Sequence, residues 1–169
     1  MDKRRPVEIL LVEDSPVDAR LVQECFEESS VPNRLHVVTN GEDALDFLTR
    51  QASFIDAARP DLILLDLNIP RIHGLTLLST VKSDPQLKHI PVIVLTASAI
   101  EEDIHRAYQL QANSYLSKPT DLSGFRDMIK SLESHWLSCA HLPSQPMVDS
   151  PAVGESHDLA EPSCGGEAS

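Results

Sequence analysis

Four apolar runs of this chain each end at, or just before, a residue able to handle a cation or a phosphoryl group. Glu13 and Asp14 close the run over 7–12, Asp66 closes 61–65, Thr96 closes 92–95, and Lys118 follows 114–116. If these runs are neighbouring strands of a parallel sheet, their carboxyl ends open onto one crevice, where open α/β folds bind their ligands. Three carboxylates, a hydroxyl and an ammonium then share one rim. Hard oxygen donors with no His or Cys nearby in sequence select Mg2+ over zinc. The hydroxyl and the ammonium supply the donors that phosphoryl oxygens need.

Asp66 carries the most weight. A carboxylate ending a buried strand is costly unless paired or bound to a cation. Joined to phosphorus it becomes a reactive acyl phosphate, and carboxylates do serve as covalent nucleophiles. Taken singly, each residue has a plainer explanation: Asp66 as a capping or loop acid, Glu13-Asp14 as a solvated acidic turn, Thr96 as a strand-end cap, Lys118 as a surface lysine. The joint spacing is what points to a site. Lys118-Pro119 is a candidate cis peptide, because the cis form is least costly at X–Pro, and a cis bond there would help aim the lysine.

For these residues to meet, strand-like and helix-like segments must alternate, and they do so five times, the pattern of an α/β domain with crossover connections. Strands are expected over 7–12, 35–38, 61–66, 92–96 and 114–116. The run DLILLD over 61–66 is the most apolar, hence central and covered on both faces. Ser15-Pro16 reads as an N-cap and first-position proline of a helix carrying Val17, Leu21 and Cys25 to about residue 29. Asn40-Gly41 turns the chain into a second helix with Ala44, Leu45, Phe47 and Leu48, followed by a longer connection over 51–60. A third helix presents Leu75, Leu78 and Val81 and ends at Asp84-Pro85. The fourth starts among the acids of 101–103, favourable at a helix N-terminus, and turns Ile104, Ala107 and Tyr108 inward. The last, about 121–137, sets Leu122, Phe125, Ile129, Leu132 and Trp136 in one stripe.

Bulk properties narrow the field. A chain of 169 residues, 41% hydrophobic and 24% charged, fits one domain with a core plus an appendage. A net charge of -12 argues against sequence-independent nucleic-acid binding, which needs a basic face, and against docking to anionic membrane. No stretch is long and apolar enough to span a bilayer. The start, MDKRRPVEILLVED, is basic then apolar, but Glu13-Asp14 interrupt it, so no export signal is expected. Cys25, Cys139 and Cys164 have no metal or redox spacing and read as reduced cytoplasmic thiols. From about residue 138 the chain is rich in Pro, Ser and Gly and contains no Lys or Arg, so it is expected to be disordered. The organisation is then an extension over 1–6, a domain over 7–137 and a tail over 138–169.

The set Glu13-Asp14, Asp66, Thr96, Tyr115 and Lys118-Pro119, in this order on these strand ends, resembles a CheY-like response-regulator receiver domain over about residues 7–136. Within that superfamily LVEDSPVDARL, RPDLILLDLNIP, SDPQLKHIPVIVLTAS and ANSYLSKP are similar to single-domain regulators that partner phytochrome histidine kinases. The resemblance implies a flavodoxin-like, doubly wound five-stranded parallel sheet in strand order 2-1-3-4-5. It implies that Asp66 accepts phosphate from the phosphohistidine of a sensor histidine kinase. Asp14, Asp66 and the backbone carbonyl of Asn68 would bind Mg2+, Glu13 largely through water. Lys118 would pair with a phosphate oxygen, and Thr96 would move to hydrogen-bond the phosphoryl group while Tyr115 swings inward. A homodimer through the fourth helix, fifth strand and fifth helix is a further implication, as is catalysis confined to the chain's own phosphorylation and dephosphorylation. Two residues depart from the family pattern. His73 replaces a common acid before Gly74 and reads as a solvent-facing loop histidine. Gln111 stands where glycine often ends the fourth helix, so a left-handed backbone with modest strain is expected there.

Three other readings are weaker. A Mg2+-dependent aspartyl-phosphate phosphatase wants a second aspartate two residues after Asp66, where Asn68 stands, and a cap domain. A flavodoxin-like cofactor binder wants a Gly/Ser/Thr-rich phosphate loop after the first strand, where EDSPVD stands. A protein-binding module independent of phosphorylation is the third. With about 30 residues beyond Trp136, too few for a further domain, the output of a switch is expected to be protein binding, phosphate relay or a phosphate sink.

Overall fold

The computed structural model describes residues 5–139. In chain order the elements are β1 (Val7–Val12), α1 (Pro16–Glu27), β2 (Asn33–Val38), α2 (Gly41–Thr49), β3 (Leu62–Leu65), α3 (Gly74–Ser83), β4 (Val92–Thr96), α4 (Glu101–Gln109), β5 (Ser114–Ser117) and α5 (Leu122–Glu133). The five strands form one sheet in the order β2-β1-β3-β4-β5, and every pair is parallel. This is the doubly wound arrangement expected from the sequence.

Strand side chains alternate between faces, and here both faces are covered. Leu10, Val12, Ile63, Leu65, Val92 and Val94 pack with Phe47 of α2, Leu78 of α3 and Ala107 of α4. Ile9, Leu11, Leu62, Leu64, Ile93 and Leu95 pack with Val22 and Phe26 of α1 and with Phe125, Ile129 and Leu132 of α5. Double coverage explains why β3 and β4 read as unbroken apolar runs, not as alternating ones. Each such Leu or Ile, fully buried, contributes about 1.5–3 kcal/mol.

Several boundaries differ from the sequence reading. β2 begins two residues earlier, at Asn33, and α1 ends at Glu27. Asp61 precedes β3 instead of opening it. Its buried carboxylate accepts both Arg5 guanidinium donors, at 2.9 and 2.7 Å, and the Glu8 amide at 2.9 Å. A 3-10 turn, Ala52–Phe54, interrupts the long connection, and its Phe54 ring lies 5.5 Å from Phe47. The last helix passes into a π-helical turn, Ser134–Cys139, where Trp136 and Leu137 pack against the α1–α5 side of the core.

Three side chains placed inward by periodicity are exposed: Val17 at 66%, Tyr108 at 51% and Leu122 at 69%. Val17 and Leu122 sit in the first turns of their helices. Tyr108 follows buried Ala107, and one helical step of about 100° carries it away from the sheet. Gln111 has φ 70°, the left-handed backbone expected there. No helix among the described residues is long and apolar enough to cross a membrane. The disorder expected for the tail falls almost wholly on 140–169, outside the described residues.

Candidate functional site

Register builds the rim. Val12 lies opposite Leu65, and Leu65 opposite Val94, so Glu13 and Asp66 leave neighbouring strands side by side. The ladder continues one residue past the strands, the Glu13 amide donating to the Val38 carbonyl and the Asp66 amide to the Val12 carbonyl, each at 3.0 Å. Glu13 and Asp66 are buried, while Asp14 is exposed. Oxygens of these three carboxylates lie within 4.8 Å of one another. An all-oxygen anionic set of this size fits a hard divalent cation.

Lys118 reaches into the same cluster. Its ammonium donates to Glu13 Oε2, to Asp18 Oδ2 at 2.9 Å and to Asp66 Oδ2 at 3.0 Å. Asp66 is held on its other oxygen by the Asn68 amide at 3.1 Å. Glu13 is held by the Ser15 amide at 3.1 Å. Burial pushes the Glu13 carboxyl up to about 7, against the pull of its Lys118 hydrogen bond and with the push of the Asp66 charge. Burial also disfavours the Lys118 ammonium, but hydrogen bonds to Glu13 and Asp18 and the charges of Glu13 and Asp66 outweigh it. The net effect holds the lysine protonated.

Lys118–Pro119 was a candidate cis bond, and the structure corrects this: no peptide bond among the described residues is cis. Trans remains favoured by about 0.5–1 kcal/mol at X–Pro. The lysine is aimed by strand pairing instead, its own amide donating to the Thr96 carbonyl at 2.8 Å.

Thr96 is fully buried, and its Oγ1 accepts from the Ser98 amide at 3.3 Å. The Tyr115 hydroxyl donates to the Ser98 carbonyl at 2.8 Å. The Ser98 hydroxyl in turn donates to Asp103 in the first turn of α4 at 2.9 Å. Thr96, Tyr115 and α4 are thus joined at one residue. His73 is exposed, as expected, and also caps α3, its Nδ1 accepting from the Leu75 amide at 3.2 Å.

The structure brings Glu13, Asp14, Asp66 and Lys118 together, sets Thr96 and Tyr115 beside them, and adds Asp18, which sequence reasoning missed. A pointer to Asp18 existed: Ser15-x-x-Asp18 has the spacing of a helix-opening box. The Asp18 amide does donate to Ser15 Oγ, at 3.3 Å. Beside the rim, Asp18, Lys118, Leu122 and Phe125 line an open hollow of about 220 Å³.

Comparison with known proteins points to one family. The model of the response regulator receiver domain matches residues 9–130. The chain is similar to response regulator Rcp1 of Synechocystis sp., 43% identical over 139 residues, covering 82% of this chain and 95% of that protein. The solved Mn(2+)-bound form of Rcp1 has a TM-score of 0.81 and 43% identity, covering 82% of this chain and 100% of that one. The phosphorylated cyanobacterial phytochrome response regulator RcpA has a TM-score of 0.81 and 44% identity, covering 83% of this chain and 100% of that one.

Proposed function

This chain belongs to the response regulator receiver domain family, a family of signalling modules, and we propose that Asp66 is its phosphoacceptor. The observation carrying this reading is the contact of one buried ammonium with Glu13 and Asp66 beside the carboxylate cluster. A carboxylate oxygen of Asp66 forms the new O–P bond as the N–P bond of a kinase phosphohistidine breaks. The leaving imidazole keeps the electron pair and takes up a proton.

Asp14, Asp66 and the Asn68 carbonyl would hold Mg2+, with Glu13 contributing largely through water; the oxygen-only donor set supports that choice of ion. When bound, the ion neutralises charge on the phosphoryl oxygens. Lys118 pairs with one phosphoryl oxygen, and buried Thr96 supplies its hydroxyl to another. Ser98, bonded to Thr96, Tyr115 and Asp103, carries that shift towards α4, with Tyr115 moving as Thr96 moves.

The partner is a sensor histidine kinase, and the likeness to the cyanobacterial phytochrome response regulator RcpA favours a phytochrome-type one. Output is altered protein binding or phosphate relay in the cytoplasm, and the chain catalyses only its own phosphorylation and dephosphorylation. Exposed Ile100 and Tyr108 support a homodimer through α4, β5 and α5. On this reading 7–137 is the receiver, with an extension over 1–6 and a tail over 138–169.

The test is intact mass after incubation with acetyl phosphate, with and without Mg2+, for the native chain and Asp66→Ala. One phosphate is expected on the native chain only with Mg2+ and none on the variant. An adduct that persists in Asp66→Ala overturns the assignment, as does absence of both an adduct and beryllofluoride binding in the native chain.

A further inference from the structure

We propose that Asp18 is a positioning residue that keeps hold of the Lys118 ammonium when Glu13 and Asp66 turn to a divalent cation. The inference rests on the reading of the rim as a cation site.

An ammonium has three donors, and Lys118 spends them on three carboxylates: Glu13, Asp18 and Asp66. Its side chain is only 8% exposed, so water offers little replacement for any of them. Two of those acceptors, Glu13 and Asp66, also belong to the cluster whose oxygens converge with Asp14; Asp18 does not. The same oxygens are therefore claimed twice, once by the lysine and once by the cation.

Leaving a buried ammonium without a counter-charge is strongly unfavourable, and a neighbouring divalent charge makes it worse. Asp18 lies outside the contested set, with its side chain 32% exposed. Its carboxylate meets Lys118 at 2.9 Å. Its backbone is fixed by the Ser15 cap, and an acid in the first turn of α1 is favoured by the helix dipole. Asp18 therefore retains one charge-assisted bond while Lys118 releases Glu13 and Asp66. Two donors of Lys118 are then free for phosphoryl oxygens at the edge of the rim.

The test is a double-mutant cycle on Mg2+ affinity, measured by calorimetry on the full chain: native, Asp18→Asn, Lys118→Met and the double variant. Asp18→Asn is expected to weaken Mg2+ binding about three- to tenfold in the native background. With Met at position 118 the loss shrinks to under about 1.5-fold, because no ammonium needs holding. An equal loss in both backgrounds means that Asp18 acts through its field alone and overturns the proposal, as does no loss in the native background. A second measurement needs no lysine variant: an NOE between Lys118 Hε and Asp18 Hβ persists in the Mg2+-saturated native protein, and its disappearance overturns the proposal. Native protein that takes up no Mg2+ overturns the cation reading itself, and this inference with it, an outcome distinct from a cycle without coupling.

Discussion

Gly74 approaches the end of β3 so closely that a Cβ on it would lie 2.7 Å from the Asp66 carbonyl oxygen and 2.5 Å from the Leu67 Cα. The Gly74 amide donates to the Leu67 carbonyl at 3.0 Å, so α3 starts against the backbone that presents Asp66. Backbone cannot rotate aside as a side chain can. Gly74→Ala is expected to destabilise the protein by about 1–3 kcal/mol, the usual range for overpacking. The displaced segment carries Asp66 and Asn68, so Mg2+ affinity should fall as well. Urea unfolding and calorimetry check both; a variant as stable as native with native Mg2+ affinity would refute the close approach.

Tyr115 reaches across from β5 to the β4–α4 loop through one bond, its hydroxyl to the Ser98 carbonyl. Tyr115→Phe removes that bond and leaves the ring. The expected loss is about 0.5–1.5 kcal/mol, towards the lower end because the residue is only half-buried. Nothing in the contacts of Asp66 changes, so phosphorylation by acetyl phosphate should reach the native extent. Loss of phosphorylation in Tyr115→Phe would place the hydroxyl in the chemistry itself.

Glu13 gives the pH dependence a definite sign. Its carboxyl is raised from the ordinary 4.5 to about 7 by burial first of all, so the folded chain holds this proton more tightly than the unfolded chain does. Stability from that protonation is fully present below about 4.5 and is lost as pH rises through about 7. Glu13→Gln imitates the protonated acid at every pH. In the absence of divalent cations, its unfolding free energy relative to native should therefore increase between pH 5 and pH 8. Urea titrations at the two values decide; a difference that narrows towards pH 8 would mean that the Lys118 bond, not burial, governs this carboxylate.

The elements that hold the rim were readable because their sequence signals are local. Ser15-Pro16 caps α1 as expected, and DLILLD marked a strand covered on both sides. What escaped depends on contacts distant in sequence. Asp18 and Lys118 are 100 residues apart in the chain, and only folding shows that the opening acid of α1 faces the lysine. Asp61 looked like the first residue of a strand, and nothing local showed that its carboxylate pairs with Arg5, 56 residues away. Val17 and Leu122 were misplaced for a different reason. Helical spacing fixes a stripe but not where along the helix the sheet begins to cover it. The trans bond at Lys118–Pro119 belongs to the same class, since pairing of β5 with β4 aims the lysine without a cis turn.

Cys25 closes the core between α1 and α5 at 1% exposure, and burial pushes its thiol above the ordinary range. The thiolate is the reactive form, so both access and ionisation protect this residue. Iodoacetamide at neutral pH should leave Cys25 unlabelled in the native chain and label it once urea unfolds the protein, read by peptide mass spectrometry. Substitution should follow the same logic. Cys25→Ala leaves a small cavity, whereas Cys25→Ser buries a hydroxyl that needs a partner, at about 1–3 kcal/mol if it finds none. Cys25→Ser is therefore expected to be the less stable of the two. The reverse order, or rapid native labelling, would mean that the helix pair opens far more readily than its packing implies.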